Sequence, residues 1–221
     1  MSDSSRPREA LLPIDSIVFD LDGTLWDTCE PCAQGWNNVI AKYQIDFRRI
    51  TADDVRGVAG KPHEMCVREV CVGLPEHQIK LLSDESEKED NRLIAERGGV
   101  LYPGVPEGLA ALATRYPLFI VSNCQAGYIE IFMASTGFAP LFRDHECWGD
   151  TGRSKAENLR AVIDRNGLRA PVFVGDTPGD QAAALANDIP FVFASYGFGR
   201  CQGPRATIDS FQELRDLLLV G

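Results

Sequence analysis

The sequence predicts an α/β fold: a parallel, doubly wound sheet with a helical segment inserted after its first strand. Three observations carry this expectation. A β-branched and aromatic run ends in an aspartate at position 20, a stretch of helical periodicity follows from about 31 to 98, and beyond residue 102 short apolar strands alternate with helices. Strands spaced by helices of that length pair in parallel, with helices on both faces of the sheet.

Taken in order, residues 14–19 (Ile-Asp-Ser-Ile-Val-Phe) form the first strand, which delivers Asp20 at its carboxyl end. In the insertion Trp36, Val39, Ile40 and Tyr43 recur at i, i+3, i+4 and i+7, the spacing of one helix face. Residues 75–97 set Ile79, Leu82, Leu93 and Ile94 among many charges, as in a long solvated helix or a broken one. No strand is expected there. After Tyr102-Pro103-Gly104 the pattern reads as helix 105–115, strand 118–121, helix 128–136, a short strand near 145–148 and helix 155–166. Strand 171–174, a helix around 180–186, strand 190–194 and a last helix 211–219 complete it. There is no internal repeat.

Composition narrows the partners. The chain of 221 residues carries 22 Lys+Arg against 32 Asp+Glu, a formal charge of −10, so a nucleic-acid partner held by bulk charge is disfavoured. Seven cysteines in no framework spacing, an odd number, read as reduced thiols of a cytoplasmic protein. The polar opening at 1–9 has no apolar core of a secretory signal, and the apolar runs 118–121 and 217–220 fall far short of the ~18 residues of a membrane span. A small-molecule partner is expected, with no nucleic acid and no membrane.

In doubly wound sheets ligands sit beyond the carboxyl ends of the strands, so the residues just after each strand are the ones that matter. Asp20-Leu21-Asp22-Gly23-Thr24 places two carboxylates at i and i+2, projecting to the same side. Such a pair repels itself in a low-dielectric cleft and is kept when a cation is bound or one member is protonated. Both outcomes suit phosphoryl chemistry: one aspartate holds a hard cation such as Mg²⁺ and attacks phosphorus, while the other moves a proton. Gly23 and Thr24 let backbone amides approach an anion. The competing explanation is a solvated Asp-Gly turn. Gly175-Asp176-Thr177-Pro178-Gly179-Asp180 weighs against it, adding two carboxylates four apart after another apolar strand. Ser122 and Asn123 end the strand 118–121 and offer a hydroxyl and an amide to a phosphate, or else cap the next helix. Lys155 opens a helix and, beside those motifs, becomes the cation that offsets their charge.

These four motifs, in this order, resemble the haloacid dehalogenase superfamily over about residues 14–219. The resemblance implies a Rossmann-like core, Mg²⁺ as cofactor, and hydrolysis of a small phosphate monoester, the phosphoglycolate-phosphatase-like members being the most similar. Asp20 would be the nucleophile that becomes phosphorylated and a metal ligand. Asp22 would be the acid and then the base, with its carbonyl on the metal. Ser122, Asn123 and Lys155 would hold phosphate oxygens, Asp176 would complete the metal ligands, and Asp180 would support the metal site and Lys155. The insertion resembles the helical cap of the family, giving a core of 1–27 and 101–221 and a cap of 28–100, hinged at 27–28 and 99–103. Lys61, in the Gly57-to-His63 segment, falls where such caps touch substrate, or else stands exposed with His63 in a plain helix connection.

Other readings are weaker. Glu69, His77 and His145 lack zinc spacing, and Cys29-Glu30-Pro31-Cys32 does not follow a strand, so packed free thiols are expected there. Gly60-Lys61 is followed by Pro62, which excludes a P-loop, and Gly197-Phe198-Gly199 lacks the third glycine of a dinucleotide fingerprint. Asp22 argues against a dehalogenase or a phosphonatase. Residues 27–41 contain no histidine, which disfavours a sugar phosphomutase, and intact Asp20, Asp22 and Asp176 disfavour a non-catalytic phosphometabolite-binding protein.

Overall fold

A computed structural model describes residues 13–219; the polar opening at 1–9 and the last residue of the 217–220 run lie outside the described residues. The chain runs β1 (Ser16–Phe19), β2 (Trp26–Asp27), α1 (Cys29–Lys42), α2 (Ala52–Arg56), α3 (His63–Val70), α4 (Glu76–Arg97) and β3 (Val100–Leu101). It continues α5 (Val105–Ala113), β4 (Leu118–Ser122), α6 (Tyr128–Thr136), β5 (Phe142–Cys147), α7 (Trp148–Thr151) and α8 (Lys155–Asn166). The last elements are β6 (Pro171–Gly175), α9 (Pro178–Ala186), β7 (Phe191–Ala194), β8 (Ala206–Ile208) and α10 (Phe211–Leu219).

Six strands form one sheet in the order β5-β4-β1-β6-β7-β8, every neighbouring pair parallel. β1 lies between β4 and β6, so the chain winds outward from it in both directions, and the crevice at its carboxyl end is the topological switch point. Alternate side chains explain the layering. Ile17 and Phe19 of β1, with Leu118, Ile120, Val172 and Val174, pack on α5, α6 and α10 through Leu109, Phe132 and Leu214. Val18, Phe119 and Phe173 face the other way onto α8 and α9, against Leu159, Val162 and Ala184. A strand buried on both faces needs an unbroken apolar run, which is what β1, β4 and β6 have.

The insertion is helical, as expected, and its four helices share their own apolar cluster, including Trp36, Val39, Val67, Ile79 and Leu82. Residues 76–97 form a single unbroken helix, settling the two readings of that stretch. Three features differ from the expectation. The two chain passages into the insertion pair as an antiparallel ribbon, Trp26 opposite Leu101 and Asp27 opposite Val100, too short to show in a sequence pattern. β8 is a three-residue edge strand after a Gly- and Pro-containing loop. β5 starts at Phe142 rather than near 145, because its Arg-Asp-His-Glu centre lies half-exposed at the sheet edge and has no apolar run; residues 148–151 are helical instead. No helix among the described residues is long and apolar enough to cross a membrane.

Candidate active site

The centre of the sheet delivers the acidic residues. Asp20 follows β1 directly, its amide bonded to the Val174 carbonyl at 2.8 Å, and Asp176 follows β6, the parallel neighbour of β1. Their carboxylates therefore emerge side by side at adjacent strand ends. Two helix starts bring the remaining charges. Thr177 and Asp180 form a reciprocal capping box at the start of α9, and Ser154 and Glu157 form another that begins α8 at Lys155. Lys155 Nζ lies 2.7 Å from Asp20 Oδ1 and 2.6 Å from Asp180 Oδ1, all three side chains at most a twentieth exposed.

One oxygen of Asp20, Oδ2, is buried with no hydrogen-bond partner. Ligand atoms of Asp20, Asp176 and Asp180 all lie within 4.8 Å of one another, the one such grouping of metal-capable side chains among the described residues. Burial and the neighbouring Asp180 push the Asp20 pKa well above its ordinary value, against the pull of Lys155. Burial, with Asp180, pushes Asp176 up to about 7. Burial disfavours the Lys155 charge, but Asp180 and Asp20 outweigh it and hold the ammonium on. More carboxylates than ammoniums, all oxygen donors, with one buried oxygen unsatisfied: this set fits a hard divalent cation such as Mg²⁺.

The turn after β1 depends on Gly23, whose φ is +85° and where a Cβ would stand 2.2 Å from Asp176 Oδ2. Here the structure departs from expectation. The amides of Gly23 and Thr24 bond the carbonyls of Trp26 and Leu21, at 2.9 and 3.3 Å, so neither is turned to an anion. Thr24 is fully buried, and its hydroxyl donates to Asp176 Oδ1 at 3.3 Å. It orients a carboxylate rather than touching substrate. The Phe198 amide, absent from the sequence reading, donates to Asp176 Oδ2 at 2.7 Å.

Asp22 turns away from the acidic cluster. Tyr128 Oη donates to its Oδ1 at 2.6 Å, and Thr28 Oγ1 lies 3.1 Å from the same oxygen and 2.6 Å from Tyr128 Oη. Burial raises the Asp22 pKa to about 6, opposed by those two donors. Its carboxylate is not among the clustered metal-capable side chains, which are Asp20, Asp176 and Asp180.

A cavity opens between Asp20, Asp22 and Ser122 on the sheet and Trp36, His63 and Asp90 on the insertion. Ser122 Oγ accepts from the Cys124 amide at 3.2 Å. Asn123 borders the cavity, but its side-chain Nδ2 donates to the Gly60 carbonyl at 2.8 Å, tying sheet to insertion. Lys61 also borders it, with its ammonium 2.5 Å from Glu69. His63 is buried rather than exposed. The sequence reading missed Tyr128, Thr28, Trp36 and Asp90, which sit far apart along the chain and become neighbours only on folding. All seven cysteines are free, and burial raises the thiol pKa of both Cys29 and Cys32.

A model of the haloacid dehalogenase-like hydrolase family matches residues 17–194. The chain is 28% identical over 223 residues to a phosphoglycolate phosphatase of Rhodospirillum rubrum, covering 92% of this chain and 90% of the relative. It is 28% identical to a phosphoglycolate phosphatase of Salmonella typhimurium, covering 93% of each. Among solved structures, a haloacid dehalogenase-like family protein from Streptococcus pneumoniae superposes with a TM-score of 0.80 at 21% identity, covering 91% of this chain and 96% of that one. A predicted phosphoglycolate phosphatase from Haemophilus somnus does so at 0.78 and 22%, covering 94% and 97%. With its sheet order, its acidic strand ends and a family match across most of its length, the chain belongs to the haloacid dehalogenase-like hydrolases.

Proposed function

We propose that this enzyme is a Mg²⁺-dependent phosphatase that hydrolyses a small phosphate monoester through a phosphorylated Asp20. The observation that carries the reading is the buried Asp20 carboxylate, with one oxygen held by Lys155 at 2.7 Å and the other unpartnered beside Asp176. Asp20, Asp176 and the Asp22 carbonyl would hold Mg²⁺, which when bound supplies positive charge against the phosphate oxygens. Asp180 has Thr177 donating to one oxygen and Lys155 to the other, so its part is to hold Lys155 in place.

The protein groups divide the work as follows. Asp20 forms a bond to phosphorus as the ester P–O bond breaks, and protonated Asp22 gives its proton to the leaving oxygen. In the second half, Asp22 takes a proton from water, the water oxygen bonds phosphorus, and Asp20 is released with inorganic phosphate. A carboxyl with a pKa near 6 can play both parts close to neutral pH. Ser122 and the Asn123 backbone amide face the phosphate, and Lys155 screens the crowded negative charge. Residues 28–100 act as a cap on the core of 1–27 and 101–221, hinged at the short ribbon, excluding water while the leaving group is bound. Phosphoglycolate, named for the relatives, is the substrate to test first.

The experiment is turnover of p-nitrophenyl phosphate with and without Mg²⁺ by wild type and Asp20→Asn, paired with intact-mass detection of a phosphorylated chain. Wild type should turn over only with Mg²⁺. The variant should keep its fold while losing activity and the added phosphate mass. Full turnover by Asp20→Asn would remove the nucleophile from this account, and an inert wild type would remove the phosphatase reading.

A further inference from the structure

The insertion meets the core firmly in one place and lightly in another. The firm contact is the end of α4, where Ile94 is buried in the core's apolar cluster with Trp26 and Tyr128. One helical turn earlier Asn91 exchanges hydrogen bonds with the loop after β4: its Nδ2 donates to the Ala126 carbonyl and its Oδ1 accepts from Gln125 Nε2, both at 3.0 Å. The light contact is the turn after α2, residues 57–61. Arg56, just before it, pairs with Asp27 of the ribbon and anchors its start. Beyond that point one hydrogen bond crosses from this turn to the core among the described residues, from Asn123 Nδ2 to the Gly60 carbonyl at 2.8 Å.

Gly60 is pressed against a second core loop as well. Its φ is +87°, and a Cβ there would stand 2.8 Å from Thr177 Cγ2. A third loop completes the seat: the Phe198 side chain packs on the insertion's apolar cluster, with the Arg56 guanidinium 5.9 Å from its ring centre. All three core residues adjoin the reacting centre. Asn123 follows Ser122, Thr177 holds Asp180 through its amide and hydroxyl, and the Phe198 amide holds Asp176.

Seated in this way, the insertion encloses little space. The cavity that Gly60 and Asn123 border is about 80 Å³, room for roughly five to eight waters. A phosphate with a short leaving group suits it. A fused-ring leaving group must lift Gly60 from Asn123 and Thr177, since that contact has one hydrogen bond to lose and the α4 contact has two and a buried isoleucine. The Asn123–Gly60 bond is therefore made with a small ester and broken with a bulky one. Whichever way the free enzyme rests, its free energy counts toward the ratio of the two.

Resting on the phosphatase reading above, we propose that Asn123 and Gly60 are specificity-determining residues, their hydrogen bond latching the cap over a compact leaving group. The test compares kcat/KM for phosphoglycolate and methylumbelliferyl phosphate in wild type, Asn123→Ala, Gly60→Ala and the double variant. Wild type should favour phosphoglycolate. Asn123→Ala, which removes the bond and keeps the backbone amide, should shrink that ratio about fivefold. Gly60→Ala, whose methyl must part from Thr177, should shrink it at least as much. The double variant should shrink it no further than Gly60→Ala alone, because both substitutions break one contact. Equal losses on both esters are what damage to the phosphate loop would give, and they would overturn the latch. So would a wild type without the preference, or effects that multiply in the double variant. Either single variant decides the ratio if the other fails to fold. Turnover of p-nitrophenyl phosphate by wild type separates the two levels: without it the phosphatase reading itself fails, and with it only the latch is at stake.

Discussion

Substituting Gly23 by alanine tests how closely the turn after β1 is fitted to Asp176. A non-glycine residue forced to a φ of +85° carries strain of ~1–2 kcal/mol. The added methyl would stand 2.2 Å from Asp176 Oδ2, 2.6 Å from its Cγ and 2.8 Å from the Phe198 ring. Relieving that overlap by repacking costs ~1–3 kcal/mol more. Together these come to ~2–5 kcal/mol, and at about 2–4 °C per kcal/mol for a chain of this size the melting temperature should fall by ~4–20 °C. The easiest relief swings the Asp176 carboxylate, breaking its bonds to the Phe198 amide at 2.7 Å and the Thr24 hydroxyl at 3.3 Å. The loss should therefore be double: lower stability without Mg²⁺, and a higher Mg²⁺ concentration for half-maximal stabilisation. Urea melts with an unchanged slope give the first quantity, and a Mg²⁺ titration of the melting temperature gives the second. A Gly23→Ala protein that melts with wild type and needs no more Mg²⁺ would refute the close fit between this turn and Asp176.

The pH dependence of stability without Mg²⁺ follows from Asp22 and Asp176. Their folded pKa values, raised to about 6 and about 7 from 3.8, mean that the folded chain holds more protons than the unfolded one between these limits. Stability should thus fall as pH rises from about 4 to 7, by ~3 kcal/mol for Asp22 alone, and Mg²⁺ should flatten the curve; denaturant melts rising across that range would contradict it. Asp176→Asn should raise the Mg²⁺ requirement for turnover tenfold or more, and an unchanged titration would remove it from the metal ligands. Tyr128→Phe deletes a 2.6 Å hydrogen bond that favours the Asp22 carboxylate, so the alkaline fall of kcat/KM should move upward by about one to two pH units. An unshifted limb would mean that Tyr128 does not set the proton affinity of Asp22.

The parts of this molecule that could be read in advance are those whose signal is local. β1, β4 and β6 announce themselves because burial on both faces demands continuous apolar residues, and the helices between them because they alternate with those strands. Asp20, Asp176 and Lys155 were legible because a doubly wound topology brings strand ends and helix starts to one edge. Thr24 was misjudged because its partner, Asp176, lies 152 residues away. Asp90 was hidden for a related reason: in sequence it is one more acid in a charged helix, and only the approach of Gly35, Trp36 and His63 sets it apart. The ribbon strands, at two residues each, are shorter than any period that could reveal them.

The order of strands also bears on how the chain is made. Ile17 must wait for both Leu118 and Val172 before its two edges are covered, whereas α1 and α4 of the insertion can meet as soon as Arg97 has been synthesised. A growing polypeptide can thus shape its middle first while its earliest strand stays uncovered. Shielding of that strand during translation, and the risk of precipitation if elongation stalls before residue 172, follow from where the chain places its central strand.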